Sequence, residues 1–298
     1  MFRHLRTRIA VFFVALLVLV QFAAFLAVNA ANSTNARQKI EGELGVGERI
    51  FGRLLDQNRD RLVQATKILA ADFAFREAIA TNDLGTVLSA LQNHGDRIDA
   101  NAMMLVSLDG NVLADTLNPD ATAHPFYFPA LLKTAKAEGS ASSIELLQDH
   151  AYQLVVVPVL APIPIAWVAV GLTVDDALAA ELRQLTSLEV SFLDRRSSGA
   201  WHVLATTLDD ATRTQLLGDL PDLPVALEVN RIGSGDLEQQ LRLIELQQSG
   251  GREVVAVLQR SVATAIAAIC TRHPPVPPPS VRLPVKTGSM PSASPRRR

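Results

Sequence analysis

Twenty residues near the N-terminus constrain everything that follows them. From Ile9 to Val28 every residue except Gln21 is apolar. As a helix rising about 1.5 Å per residue, this run covers the roughly 30 Å hydrocarbon core of a bilayer. The apolar core of a signal peptide is typically about 7–15 residues, so the run reads as an uncleaved anchor. The alternative is cleavage after the small residues around Val28-Asn29-Ala30, which predicts a free periplasmic binding protein starting near Ala31. Arg3, Arg6 and Arg8 precede the run, and Asn29 to Asn35 carry no charge. The positive-inside rule then places residues 1–8 in the cytoplasm and residues 9–31 across a bacterial inner membrane as a single pass. The remainder is periplasmic.

The formal net charge of −2 hides this organisation. Residues 1–31 hold three arginines and no acid, residues 32–269 hold 19 basic against 30 acidic residues, and residues 270–298 hold six basic residues and no acid. The exported body is acidic, which argues against a nucleic-acid partner. The single cysteine, Cys270, permits neither an intramolecular disulfide nor the usual thiolate zinc site.

From Ser33 to Phe73 there is no proline. Ile40, Leu44, Gly47, Phe51, Leu54, Asn58, Leu62, Ala65 and Leu69 recur at steps of three or four, which predicts one long helix. Its first half resembles a coiled-coil seam, with Asn58 as a register-setting polar interruption. The expectation is a dimeric stalk near the membrane and a far end covered by the domain it enters. Gly42, Gly45 and Gly47 are each expected to weaken this helix by roughly 1 kcal/mol relative to alanine. They form no dinucleotide fingerprint, because no strand precedes them and the spacing fails.

Beyond the stalk the period changes. A helix over Leu84–Leu91, capped by Asn82 or Asp83, is followed by short apolar runs at Met103–Ser107 and Asn111–Asp115. These flank Asp109-Gly110, a tight-hairpin signal. Pro129–Glu138 reads as a helix closed by Gly139. Ser143–Leu147, Tyr152–Pro158 and Ile165–Leu172 read as strands, the last with Val168, Val170 and Leu172 on one face and Trp167, Ala169 and Gly171 on the other. A helix over Asp175–Leu185 leads into a second, smaller pass of the pattern. It comprises strands Leu188–Leu193 and Trp201–Ala205 around the Arg195–Gly199 turn, helix Asp209–Leu217 and strand Val225–Val229. Leu241–Gln247 and Glu253–Gln259 close it around Gly250-Gly251. Strands and helices in this order describe an α+β fold with antiparallel sheets, and the second pass is a weak repeat of architecture.

Three stretches carry a family likeness: Ile68-Leu69-Ala70-Ala71-Asp72-Phe73-Ala74-Phe75-Arg76-Glu77-Ala78, Met104-Leu105-Val106-Ser107-Leu108-Asp109-Gly110, and Val174-Asp175-Asp176-Ala177-Leu178-Ala179-Ala180-Glu181-Leu182. Over about residues 32–265 the chain resembles bacterial double Cache sensor domains, whose modules are relatives of the PAS fold. Such domains occur on transmembrane sensor kinases and on GGDEF/EAL proteins that handle cyclic di-GMP. The resemblance implies residues 32–72 as the long stalk helix, 73–174 as a membrane-distal Cache module, and 175–268 as a connecting helix with a membrane-proximal module. Relatives that bind amino acids use a Tyr, an Arg-x-Trp-Tyr run and a later Asp. Neither Trp167 nor Trp201 lies in such a run, so that specificity does not carry over.

Such receptors return through the membrane to an output domain, whereas here no second apolar twenty-mer follows Arg260–Ile269. Residues 269–298 form a Pro/Arg-rich tail, with eight prolines from Thr271 onward, and are expected to be disordered. The expectation is a receptor truncated before its second span, with the reading frame lost near Ala268–Cys270; the alternative is a genuine short receptor with a basic tail.

Signals of enzyme chemistry are sparse: there is no Gly-x-Ser-x-Gly, no phosphate-binding loop, no His-Glu-x-x-His and no Cys pair. Asp175-Asp176 and Asp209-Asp210 open helices, where acids favour the dipole. No catalytic residue, cofactor or metal is expected. The candidate ligand site is in the distal module. His124-Pro125-Phe126-Tyr127-Phe128-Pro129 is the aromatic cluster outside the span, on a connection that often closes the pocket of PAS-like modules. His124, Tyr127, Tyr152 and Trp167 are the candidate ligand-binding residues, against the plainer reading of the aromatic rings as core. The expected function is a membrane-anchored sensor of an unidentified small molecule, homodimeric through its stalk. The alternative is a dimeric scaffold without a ligand.

Overall fold

A computed structural model describes residues 2–195, 199–220, 229–249 and 252–272. Its first element, α1 (Phe2–Ala71), is one continuous helix of 70 residues, roughly 105 Å long. The large apolar side chains from Phe12 to Val28 stay exposed. Among the described residues, α1 is the one helix long and apolar enough to cross a membrane.

Past Ala31 the helix is packed on by the rest of the chain. Ala36, Ile40, Leu44 and Phe51 are buried with Leu188, Val190, Phe192, Val254, Ala256 and Leu258 of the second module. Leu62 and Leu69 are buried with Val155, Val157, Val168 and Val170 of the first. The expected seam is therefore occupied within one chain, in its N-terminal half as well as its far half. A stripe at three-four spacing suits a sheet as well as a second helix, and here a sheet takes it. Gly47 departs from expectation for the same reason: a Cβ there would collide with Leu188, so it is a close-approach glycine, whereas Gly42 faces open space.

Asp72 ends α1 and caps α2 (Phe73–Ala80), its carboxylate accepting from Phe75 N at 2.9 Å. The end of the stalk at residue 72 was expected, whereas the short helix α2 was not. α3 (Leu84–Ile98) begins at the expected cap, Asp83, but runs a further two turns to a left-handed Asp99.

The distal sheet contains β1 (Ala102–Val106), β2 (Asn111–Asp115), β3 (His124–Pro125), β4 (Ala141–Leu147), β5 (His150–Leu160) and β6 (Pro164–Thr173), in the order β3-β2-β1-β6-β5-β4. All its pairs are antiparallel. The two-residue edge strand β3 was not anticipated. α4 (Pro129–Glu138) lies between β3 and β4 and closes at Gly139, φ 82°. α5 (Asp176–Thr186) and α6 (Asp210–Asp219) are capped by Asp175 and Asp209, each accepting from the amide three residues on.

The proximal sheet orders β7 (Glu189–Arg195), β8 (Trp201–Thr206), β9 (Val229–Ile232), β10 (Gln239–Ser249) and β11 (Arg252–Ser261) as β8-β7-β11-β10-β9. With β3 set aside, both sheets run second, first, fifth, fourth, third in their own strand count, which is the architectural repeat. The expected strand at Val225–Val229 falls mostly outside the described residues, and β9 begins at its last position. α7 (Val262–Arg272) carries helical backbone into the first residues of the expected tail, and residues 273–298 lie outside the described residues.

Candidate functional site

The site has to be built from the distal sheet, because its two faces do different work. Val155, Val157, Val168 and Val170 face α1, α2 and α3. Met104, Val112, Tyr152, Leu154, Val156, Trp167 and Ala169 face α4 and the loop before it. Antiparallel partners point to one side, so register places further residues on this second face. Asp115 pairs with Met104, and Glu145 pairs with Tyr152. Both carboxylates are buried, Asp115 at 2% and Glu145 at 6% exposure. Neither was singled out by sequence; the available signal was an acid at an inward register position of a strand.

Asp115 is held by two donors: Leu117 N at 2.8 Å and Asn118 Nδ2 at 3.2 Å. Its charge reaches two of the expected site residues. Burial raises the Tyr152 hydroxyl above the ordinary tyrosine range, and the Asp115 carboxylate adds to this. The same two causes, in the same order, raise Tyr127. Burial also pushes Glu145 above the usual carboxylate range, partly offset by a hydrogen bond from Ser143.

The four expected residues divide into separate groups. His124 and Tyr127 lie together at the surface, with ring centroids 4.8 Å apart and the Tyr127 hydroxyl 3.3 Å from His124 Nε2. Tyr127 is 42% exposed. Tyr152 and Trp167 are buried on the same sheet face but at opposite ends of it. Tyr152 pairs with Thr173, six residues along β6 from Trp167, a separation of roughly 20 Å at strand rise. Trp167 Nε1 is a buried donor with no hydrogen-bond partner among the protein atoms. Phe126 and Phe128 pack edge to face at 5.8 Å.

A groove of about 540 Å³ beside this cluster is lined by Asp109, Gly110, Pro125, Phe126, Lys133 and Lys136, and none of the four expected residues reaches it. A larger open groove, about 1110 Å³, lies between α1 and α5 and is lined by Asn58, Asp60, Asp99, Asp175 and Glu181 among others. Its lining shares no residue with the 124–129 cluster or with the four expected residues, although it includes Gln153 and Thr173, the neighbour and strand partner of Tyr152. Among the described residues no group of three or more His, Cys, Asp or Glu could hold a metal ion.

Comparison with known proteins follows this architecture. Residues 37–259 match a double Cache family described as the double sensory domain of two-component sensor kinases. No curated protein sequence matches the chain. Among solved structures, the domain of a sensory box/GGDEF family protein from Vibrio parahaemolyticus is 10% identical, with 79% of this chain and 99% of that one covered at a TM-score of 0.49. The sensor domain of the V. cholerae histidine kinase DctB is 13% identical, with coverages of 74% and 97% and a TM-score of 0.46. The sensory domain of the Campylobacter jejuni chemoreceptor Tlp3, solved with isoleucine bound, is 11% identical, with coverages of 79% and 98% and a TM-score of 0.43.

Proposed function

Because the chain belongs to the double Cache family of sensory domains, we propose that it is a membrane-anchored periplasmic sensor whose distal module binds a small molecule. The observation that carries this reading is the convergence on one sheet face of buried Asp115 and Glu145 with Tyr152, and of Tyr127 at its edge. Both carboxylates are hydrogen-bonded within the chain, Asp115 by Leu117 N and Asn118 Nδ2 and Glu145 by Ser143. A ligand with a cationic group would add an opposite charge to that face, with the aromatic rings covering its apolar part. His124 flanks the face through Tyr127, and the unpartnered Trp167 N–H offers a donor at its far end. α1 crosses the inner membrane once, with its N-terminus cytoplasmic. Two copies associate along the stalk surface that the chain's own sheets leave open, and a receptor of this class signals to a kinase or GGDEF/EAL output.

The tight packing around Tyr152 and Trp167, 6% and 5% exposed, favours a second reading: a membrane-anchored dimeric scaffold whose distal face is core. Thermal unfolding of the full chain in nanodiscs, screened against amines, amino acids and polyamines, separates the two. A ligand present at a hundred times its Kd stabilises the fold by about 2.7 kcal/mol and raises Tm accordingly. The sensor reading expects such a compound, and it expects Asp115→Asn to abolish the shift. A Tm unmoved by the whole screen favours the scaffold.

A further inference from the structure

The β4–β5 hairpin belongs to both modules. On one face it presents Glu145 and Tyr152 to the distal site. On the other, Ile144 and Ala151 are buried in the proximal core with Phe51, Leu188, Phe192 and Val254, and Leu146 packs against them. Gln153, one residue past Tyr152, donates from Nε2 to Leu55 O of α1 at 2.6 Å. The turn itself, Gln148-Asp149, has both residues at positive φ, 52° and 64°.

A polar chain passes through this turn. Asn118 Nδ2 donates to the Asp115 carboxylate, and Asn118 Oδ1 accepts from Gln148 Nε2 at 3.3 Å. The neighbouring Asp149 accepts from both terminal nitrogens of Arg252 at 3.1 Å. Arg252 also donates to Asp194 of β7, whose side chain is fully buried. The His202 ring lies 3.2 Å from the second Asp194 oxygen, outside hydrogen-bond alignment. An exposed ion pair such as Asp149–Arg252 is by itself weak. Here the guanidinium is already fixed by a buried carboxylate, so little freedom remains to be lost when Asp149 engages it.

We infer that the β4–β5 turn is a relay: it couples the Asp115 end of the distal site to the proximal sheet through Asn118, Gln148, Asp149, Arg252 and Asp194. A change in how Asp115 is held moves Asn118 and the turn, and the turn moves the start of β11. This inference rests on the distal module as the sensing site, and its physical warrant is a measurable coupling rather than proximity.

Hydrogen exchange of the full chain in nanodiscs, without ligand, tests it. Asp115→Asn is expected to change exchange about threefold at residues 252–256 of β11 and 191–194 of β7, the size of a modest coupling between linked sites. In an Asp149→Asn background, which keeps a residue tolerant of positive φ, the same substitution leaves those amides unchanged. Asn118→Ala retains the site carboxylate and reproduces the effect, and it carries the test if Asp115→Asn unfolds the distal module. Changes confined to residues 102–174, or an equal effect with and without Asp149, overturn the relay. Because no ligand enters the experiment, a failed ligand screen leaves this result standing, and an uncoupled turn leaves the sensing site standing.

Discussion

The two sheets have one strand order and opposite tasks. The proximal sheet grips the stalk with charge as well as apolar surface: Arg37 pairs with Glu238, Arg260 with Glu43 and Arg242 with Glu48. Its far face carries an ordinary apolar cluster of Leu193, Leu216, Leu220, Leu241, Val255 and Val257. Among the described residues the distal sheet meets the stalk through aliphatic packing and a bond from Gln153, and its buried acids Asp115 and Glu145 lie on the opposite face. A repeated architecture has thus been divided. One copy fixes the helix, and the other carries two buried acids, Asp115 and Glu145, on the face turned away from it.

The largest effect expected from this division is in the proximal grip. Phe51 is buried against Phe192, with ring centroids 5.9 Å apart. Phe51→Ala should cost about 3–5 kcal/mol in denaturant unfolding. A loss under 1 kcal/mol would mean that the helix is held elsewhere.

Next come two glycines of the same helix. Gly47→Ala should destabilise by about 1–3 kcal/mol through overpacking against Leu188. Gly42→Ala, facing open space, should stabilise by roughly 1 kcal/mol. Equal signs in the two variants would break the comparison.

The smallest effect probes the distal side. Burial raises the folded Glu145 carboxyl above its unfolded value. Its contribution to stability is therefore present below the unfolded glutamate value of about 4.3 and is lost as pH rises through the folded one. Glu145→Gln should raise Tm at pH 7, by an amount that shrinks on acidification below that range. A variant less stable than the parent at pH 7 would contradict burial as the larger of the two effects acting on Glu145.

Much of this could be read from residue order. Periodicity located α1, α3 to α6 and most of the strands but neither α2 nor β3; Asp109-Gly110 located the first hairpin, Asp83 is the one of two candidates that caps α3, and Asp175 and Asp209 cap the helices they were expected to open. The seam of α1 was visible but its occupant was not, since Ile40, Leu44 and Phe51 suit a sheet and a partner helix equally. The site was half legible. The aromatic residues stand out in the sequence, but Asp115 and Glu145 look like any strand acid until cross-strand register shows which way they point. The hairpin's double membership depends on long-range contacts, such as Ala151 with the proximal core, that no local pattern encodes.

If sensing belongs to the distal module, the chain's two tryptophans report on it separately, Trp167 in the distal sheet and Trp201 in the proximal one. Titrating the compound found by thermal shift into Trp201→Phe and Trp167→Phe chains, and following indole emission, reads each module alone. The account predicts a saturable change from Trp167 that disappears with Asp115→Asn, and a weaker change or none from Trp201. Saturable emission from Trp201 with Trp167 silent would contradict it.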